Sequence, residues 1–192
     1  MQSAILHWDR VFTLAINQFN SPVADPAMIF LSEKWVWLPL YAFIIWLIFR
    51  VFDTRSGLWI LLGIGVSIAI SDQLASGLLK PMFERLRPCH DPGMRPMLHL
   101  PNGCGGMFGF ASSHAANTFC LAAWVTTLFG QRSPFAKLIW VWALFICWSR
   151  IYLGAHFLGD VVIGAFIGTM AAFYSIRLLP MVASLRPRKP IG

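Results

Sequence analysis

The chain has 192 residues, 57% hydrophobic and only 12% charged, with mean hydropathy +0.65 and net charge +7. Soluble domains carry about 25% charged residues, so a water-soluble enzyme is excluded, and the length suits one integral membrane domain. The basic residues sit at the ends of apolar runs, which argues against a nucleic-acid surface.

The opening stretch, MQSAILHWDR, lacks a basic n-region and carries Asp9 just behind its apolar residues, so it does not read as a cleavable signal peptide. Ile5, Trp8, Phe12, Ala15 or Ile16, and Phe19 recur at helical spacing. His7, Arg10, Asn17 and Gln18 lie largely off that stripe. The pattern predicts an amphipathic interfacial helix within residues 1–25, too polar to span. Ser21-Pro22 breaks it, and Asp25-Pro26 predicts the N-cap and first residue of a second short helix, AMIFL.

Five apolar runs follow, at about Trp35–Phe52, Gly57–Leu79, Ser113–Phe129, Phe135–Ser149 and His156–Ile176. A span needs about 20 residues to cross roughly 30 Å of hydrocarbon, so the first is slightly short unless Ser32-Glu33-Lys34 joins it. The expected fold is all-α: a polytopic membrane helical bundle of about five spans plus the interfacial helix. The transmembrane domain occupies 26–178 and a basic tail 179–192. Between the second and third runs lies one long polar loop, from Lys80 to about Ala111.

Orientation follows from Lys and Arg near span ends. Arg50, Arg55, Arg132, Lys137, Arg177, Arg186, Arg188 and Lys189 fall on one side. Arg10, Lys34, Arg85 and Arg95 fall on the other once Lys80, Arg87 and Arg150 are set aside for the site. The tail is therefore expected in the cytoplasm, with the long loop outside. Cys89 and Cys104 share that outer loop, where a disulfide would close a loop worth about 3 kcal/mol. Cys120 and Cys147 lie inside spans and read as small apolar core residues.

The stretch SRIYLGAHFLGD, Ser149 to Asp160, places ionisable groups where an apolar run meets something polar. Such groups are expensive there and are functional candidates. Arg150 and His156 snorkelling at a membrane boundary is the plainer reading of this stretch alone. With a helix starting near Gly154 or Ala155, His156 and Asp160 stand at i and i+4, where the carboxylate can fix the imidazole tautomer. Two further segments bring polar groups to the same side. One is KPMFERLRP, with Lys80 and Arg87-Pro88; the other is FASSH, with Ser112, Ser113 and His114 at a span start. Three cations, helix N-terminal N–H groups, a nucleophile and an acid are what a phosphoryl group needs.

The three segments resemble the motifs of the type 2 phosphatidic acid phosphatase superfamily, K-x6-R-P, P-S-G-H and S-R-x5-H-x3-D. The first and third are matched without departure. The middle one reads Ala111-Ser112-Ser113-His114, with Ala and Ser replacing Pro and Gly. The resemblance implies that His156 attacks phosphorus to form a phosphohistidine, with Asp160 holding its ring. His114 would protonate the leaving oxygen and then activate water. Lys80, Arg87, Ser112, Arg150 and the Ser113 backbone N–H would hold the phosphate. No metal or other cofactor is implied.

Other polar residues read more quietly. Asp72 suits an interhelical hydrogen bond, or tunes the site's cations. Glu84 and Arg85 pair with neighbours or meet a headgroup, and His90 and Asp91 belong to loop structure, with headgroup contact the lesser alternative. Asn117 and Thr118 line a substrate path or bond between helices. The expected partners are membrane lipids and a lipid phosphate, not nucleic acid, with the site at the outer face of the cytoplasmic membrane. Candidate substrates are undecaprenyl diphosphate, phosphatidylglycerol phosphate, phosphatidic acid and lipid A phosphates, the first favoured on prevalence. A lipid-phosphate transporter or flippase, or a lipid phosphotransferase, is the alternative use of the same site. A vanadate haloperoxidase is more remote, since those relatives are soluble.

Overall fold

Helices form where the apolar runs predict them. The structure, a computed structural model, describes residues 2–178, so the tail predicted at 179–192 lies outside the described residues. In chain order the helices are α1 (Gln2–Asn17), α2 (Ala24–Ser32), α3 (Leu38–Val51), α4 (Thr54–Asp72), α5 (Lys80–Phe83), α6 (Ser113–Phe129), α7 (Pro134–Tyr152) and α8 (Leu158–Leu178). A 3-10 turn, Lys34–Trp37, leads into α3, and a π-helical turn, Gln73–Leu79, joins α4 to α5. Among the described residues there is no β-strand, only an isolated antiparallel bridge between Leu86 and Phe108.

Among the described residues four continuous helical segments are long and apolar enough to cross a membrane: Lys34–Val51, Thr54–Phe83, Pro134–Tyr152 and Leu158–Leu178. The second has 30 residues, about 45 Å of helix, which is longer than the roughly 30 Å hydrocarbon layer. It runs four residues past the predicted Leu79 end. Lys80 does not stop the helix, because its long stem carries the ammonium sideways to Ser76 and Ser113 while the backbone continues. Glu84, at φ +44°, ends it in the left-handed region, a conformation that costs a residue with a Cβ about 1–2 kcal/mol.

α6 is shorter, at 17 residues, and runs through the middle of the bundle between α4, α7 and α8. Cys120, Trp124 and Val125 on it are fully buried. By contrast, Trp46, Leu62, Leu144, Phe145 and Phe166 point outward on the other spans. In water such faces would be liabilities; lipid solvates them. Because lipid tails are as apolar as leucine, helix association rests on close packing and interhelical hydrogen bonds. Ser67 accepts from Trp124, Thr126 from Trp140, and Asp72 from Asn117, at 2.9, 2.7 and 3.1 Å. At about 0.6 kcal/mol each these three contribute only ~2 kcal/mol, so packing must supply most of the rest.

The closest packing is between α6 and α8. A Cβ on Gly164 would stand 2.3 Å from the Ser112 carbonyl oxygen, and one on Gly168 1.8 Å from that of Ala116. Gly164-x-x-x-Gly168 thus lets two backbones touch directly beneath the ends that carry Ser112 and Asp160.

Two predicted helix starts are corrected. α2 begins at Ala24, not at Pro26, so Asp25 lies in its first turn instead of capping it. The Asp25 carboxylate is occupied elsewhere: it accepts from the Tyr152 hydroxyl at 2.7 Å and lies 2.9 Å from His99 Nε2. α8 begins at Leu158, after a turn with Gly154 at φ +65°, so His156 precedes the helix instead of sharing a face of it with Asp160. Cys89 and Cys104 form a disulfide, with Cα atoms 5.9 Å apart, and Cys120 and Cys147 are free and buried.

Candidate active site

The ends of α5, α6, α7 and α8 that carry the three motifs meet at one end of the bundle. At the α8 N-terminus the chain leaves several N–H groups without intrahelical partners. Asp160, the third helical residue, reaches back with Oδ2 to accept from the Phe157 N–H at 3.0 Å, half of a capping box. Its Oδ1 accepts from Arg85 Nη1 at 2.8 Å. The same Oδ2 lies 3.6 Å from His156 Nδ1, beyond hydrogen-bond distance. The two residues meet as predicted, through a turn and not across a helix face.

His156 is 1% exposed. Burial above all, and then the positive charges of Arg150, Arg87 and Lys80, hold its pKa well below the ordinary imidazole value of 6.5. The ring is therefore neutral at physiological pH, with a lone pair available.

Ser112 is the N-cap of α6, and its backbone N–H donates to the Asp160 carbonyl at 2.9 Å, tying the second motif to the third. Ser113 Oγ meets both Lys80 Nζ, at 3.2 Å, and Ser76 Oγ, at 2.9 Å. His114 is half-buried and lines a cavity. Arg87 is held by its backbone N–H to Met107 and by Nε to the Phe108 carbonyl, 3.2 Å away. Burial lowers the Arg87 pKa and the Asp160 carboxylate opposes this, leaving it a cation. Gly109 admits this arrangement: a Cβ there would stand 2.9 Å from Asp160 Oδ2 and 3.2 Å from Arg87 Cγ. Arg150 bonds through Nη1 to Ser32 Oγ at the end of α2. All eight predicted site residues thus lie at this end of the bundle.

Buried polar atoms are normally paired. Among the described residues four buried side-chain atoms make no hydrogen bond within the protein, and three belong to the motifs: Ser112 Oγ, Arg150 Nε and His156 Nδ1. A cavity of about 480 Å³ reaches the site at Ser113 and His114, while Ser112, Arg150 and His156 are not among its lining residues. Ser113, His114, Lys34 and Ser32 stand along its polar part, and Ile44, Ile64, Leu121 and Trp142 along its apolar part. Asn117 and Thr118 line it too, as one of the two sequence readings held. Asn117 also bonds Asp72 and Ser71 across α4 and α6, as the other reading held.

Sequence reasoning left Arg85 undecided and gave α1 no part in the site. Arg85 bridges Asp160 and Asp9 of α1, and lies 4.2 Å over the Phe157 ring. Its position inside the first motif was the available signal.

Comparison with known proteins identifies the family of the chain. Residues 56–183 match the model of the PAP2 superfamily. A lipid A 4′-phosphatase of Bacteroides thetaiotaomicron is 36% identical over 162 residues, covering 83% of this chain and 72% of that protein. A lipid A 4′-phosphatase of Porphyromonas gingivalis is 30% identical over 171 residues, covering 88% and 72%. The crystal structure of a transmembrane PAP2-type phosphatidylglycerolphosphate phosphatase from Bacillus subtilis superposes with a TM-score of 0.65 at 25% identity, covering 91% of this chain and 86% of that one. The chain belongs to the PAP2 superfamily, the type 2 phosphatidic acid phosphatases.

Proposed function

We propose that this member of the PAP2 superfamily is a membrane phosphatase that removes a terminal phosphate from a lipid A-type substrate by way of a phosphohistidine on His156. The observation that carries the reading is the set of unpartnered buried atoms on three motif residues, Ser112 Oγ, Arg150 Nε and His156 Nδ1, in a site whose Ser113 and His114 line a largely apolar cavity. Two hydrogen-bond donors among them, with Lys80 and Arg87 alongside, suit the equatorial oxygens of a phosphoryl group. The hydrocarbon chains suit the cavity between the helices.

The chemistry takes two steps. Neutral His156 attacks phosphorus through Nε2, and the bond to the lipid oxygen breaks as His114 delivers a proton to it. Asp160 accepts from Nδ1 and stabilises the charge that develops on the ring. Water then attacks the phosphohistidine with His114 as base, releasing inorganic phosphate and restoring the imidazole. Lys80, Arg87, Ser112, Arg150 and the Ser113 N–H hold the phosphate in both steps.

The favoured substrate moves from undecaprenyl diphosphate to a lipid A phosphate, because two relatives at 36% and 30% identity are lipid A 4′-phosphatases. By the balance of flanking cations, the site lies at the outer face of the cytoplasmic membrane. Phosphate release by the purified protein from lipid A, phosphatidylglycerol phosphate, phosphatidic acid and undecaprenyl diphosphate tests the reading. Release should be greatest from lipid A and absent in His156→Ala. Preference for another lipid would overturn the substrate, and retained lipid binding with no release would favour a carrier.

A further inference from the structure

α1 does more than cover the bundle. Asp9, Thr13 and Asn17 stand at i, i+4 and i+8, a polar stripe on one face of an amphipathic helix. Thr13 and Asn17 are fully buried. Thr13 Oγ1 accepts from the Leu158 N–H at 3.0 Å and Asp9 Oδ1 from the Gly159 N–H at 2.8 Å, so α1 supplies caps for the first two residues of α8. Asn17 Nδ2 donates to the Tyr152 carbonyl at 2.6 Å. The turn that carries His156 is therefore clasped by α1 at both of its ends.

Arg85 extends that clasp to the carboxylate beside the nucleophile. Its Nη2 donates to Asp9 Oδ2 at 2.5 Å, its Nη1 to Asp160 Oδ1 at 2.8 Å, and its guanidinium lies over Phe157. A carboxylate turns easily about its last torsion, which is broad and roughly two-fold. Asp160 is anchored at both oxygens, by Arg85 at Oδ1 and by the Phe157 N–H at Oδ2. With both in place the carboxylate plane is fixed, and Oδ2 stays facing His156 Nδ1. With Arg85 gone, one anchor remains and the plane can swing.

We propose that Arg85, braced by Asp9 of α1, is a positioning residue that sets the orientation of Asp160 against His156. This rests on the reading of His156 as the nucleophile. The rate of phosphoryl transfer then depends on α1 without α1 touching the substrate, and substrate affinity does not.

The test is a double-mutant cycle on the purified full-length protein with the best lipid substrate, reading kcat and KM separately and the thermal midpoint in detergent. Arg85→Ala should lower kcat by about tenfold to a hundredfold, the usual effect of removing a residue that orients a reacting group, with KM changed little. Arg85→Lys, which keeps a cation, and Asp9→Asn, which keeps an acceptor for Gly159, should each lose less. Asp160→Asn should lower kcat at least as much as Arg85→Ala. In that background Arg85→Ala should cost nothing further, because both act through the same contact. Additive losses, or a loss matched by a fallen thermal midpoint and rescued at lower temperature, would make Arg85 a structural clamp only and overturn the proposal. Full kcat in Arg85→Ala with an inactive His156→Ala would overturn it while leaving the nucleophile in place. Activity surviving in His156→Ala would remove the premise instead.

Discussion

At the scale of single residues, the site depends on burial setting charge state. His156 is neutral because burial and three cations, Arg150, Arg87 and Lys80, all oppose its protonation. In the unfolded chain its pKa returns to about 6.5. Below that pH the unfolded state takes up a proton that the folded state refuses. This residue therefore lowers stability as pH falls below about 6.5 and has no effect above it. Nitrogen-15 spectra of histidine-labelled protein, with His156→Ala identifying the signal, should show a neutral ring at about pH 5.5, well under the ordinary midpoint. A midpoint near 6.5 would contradict the electrostatic account. The motif residues were legible in the sequence because their chemistry and spacing are both specific. Arg85 was not, since a second arginine two positions before Arg87 has many equally plausible partners.

At the scale of helices, the site is aligned by the contact between α6 and α8. The backbone approach at Gly164 and Gly168 leaves no room for a methyl group. Gly168→Ala should push the helices apart and lower the thermal midpoint strongly, by the equivalent of about 3 kcal/mol, at the upper end of overpacking costs. Gly65→Ala, where a Cβ would meet nothing within 4 Å, should leave the midpoint unchanged or slightly raised. Equal midpoints for the two variants would show that the close contact does not hold the helices in place. Hydropathy located these helices well but placed several ends wrongly. Lys80 looked like a span end, yet the helix runs on to Phe83. α1 was recognised as amphipathic, but a polar face reads the same whether it meets water or protein. Here Thr13 and Asn17 are buried against other parts of the chain.

At the scale of the whole molecule, low charge and five apolar runs predicted the membrane bundle, and the ordered motifs named residues that meet at one of its ends. Composition could not foresee the cavity, because its walls come from α2, the 3-10 turn after it, α3, α4, α6 and α7 and form only when these pack. The claim on which everything else depends is that phosphate passes through His156. Rapid acid-free quenching during turnover of phosphate-labelled lipid, followed by peptide mass analysis, tests it directly. The account predicts a phosphorylated His156 during wild-type turnover that is absent from His156→Ala, with both its formation and its hydrolysis slowed in His114→Ala. Turnover with no modified His156 in the wild type, or turnover persisting in His156→Ala, would contradict it.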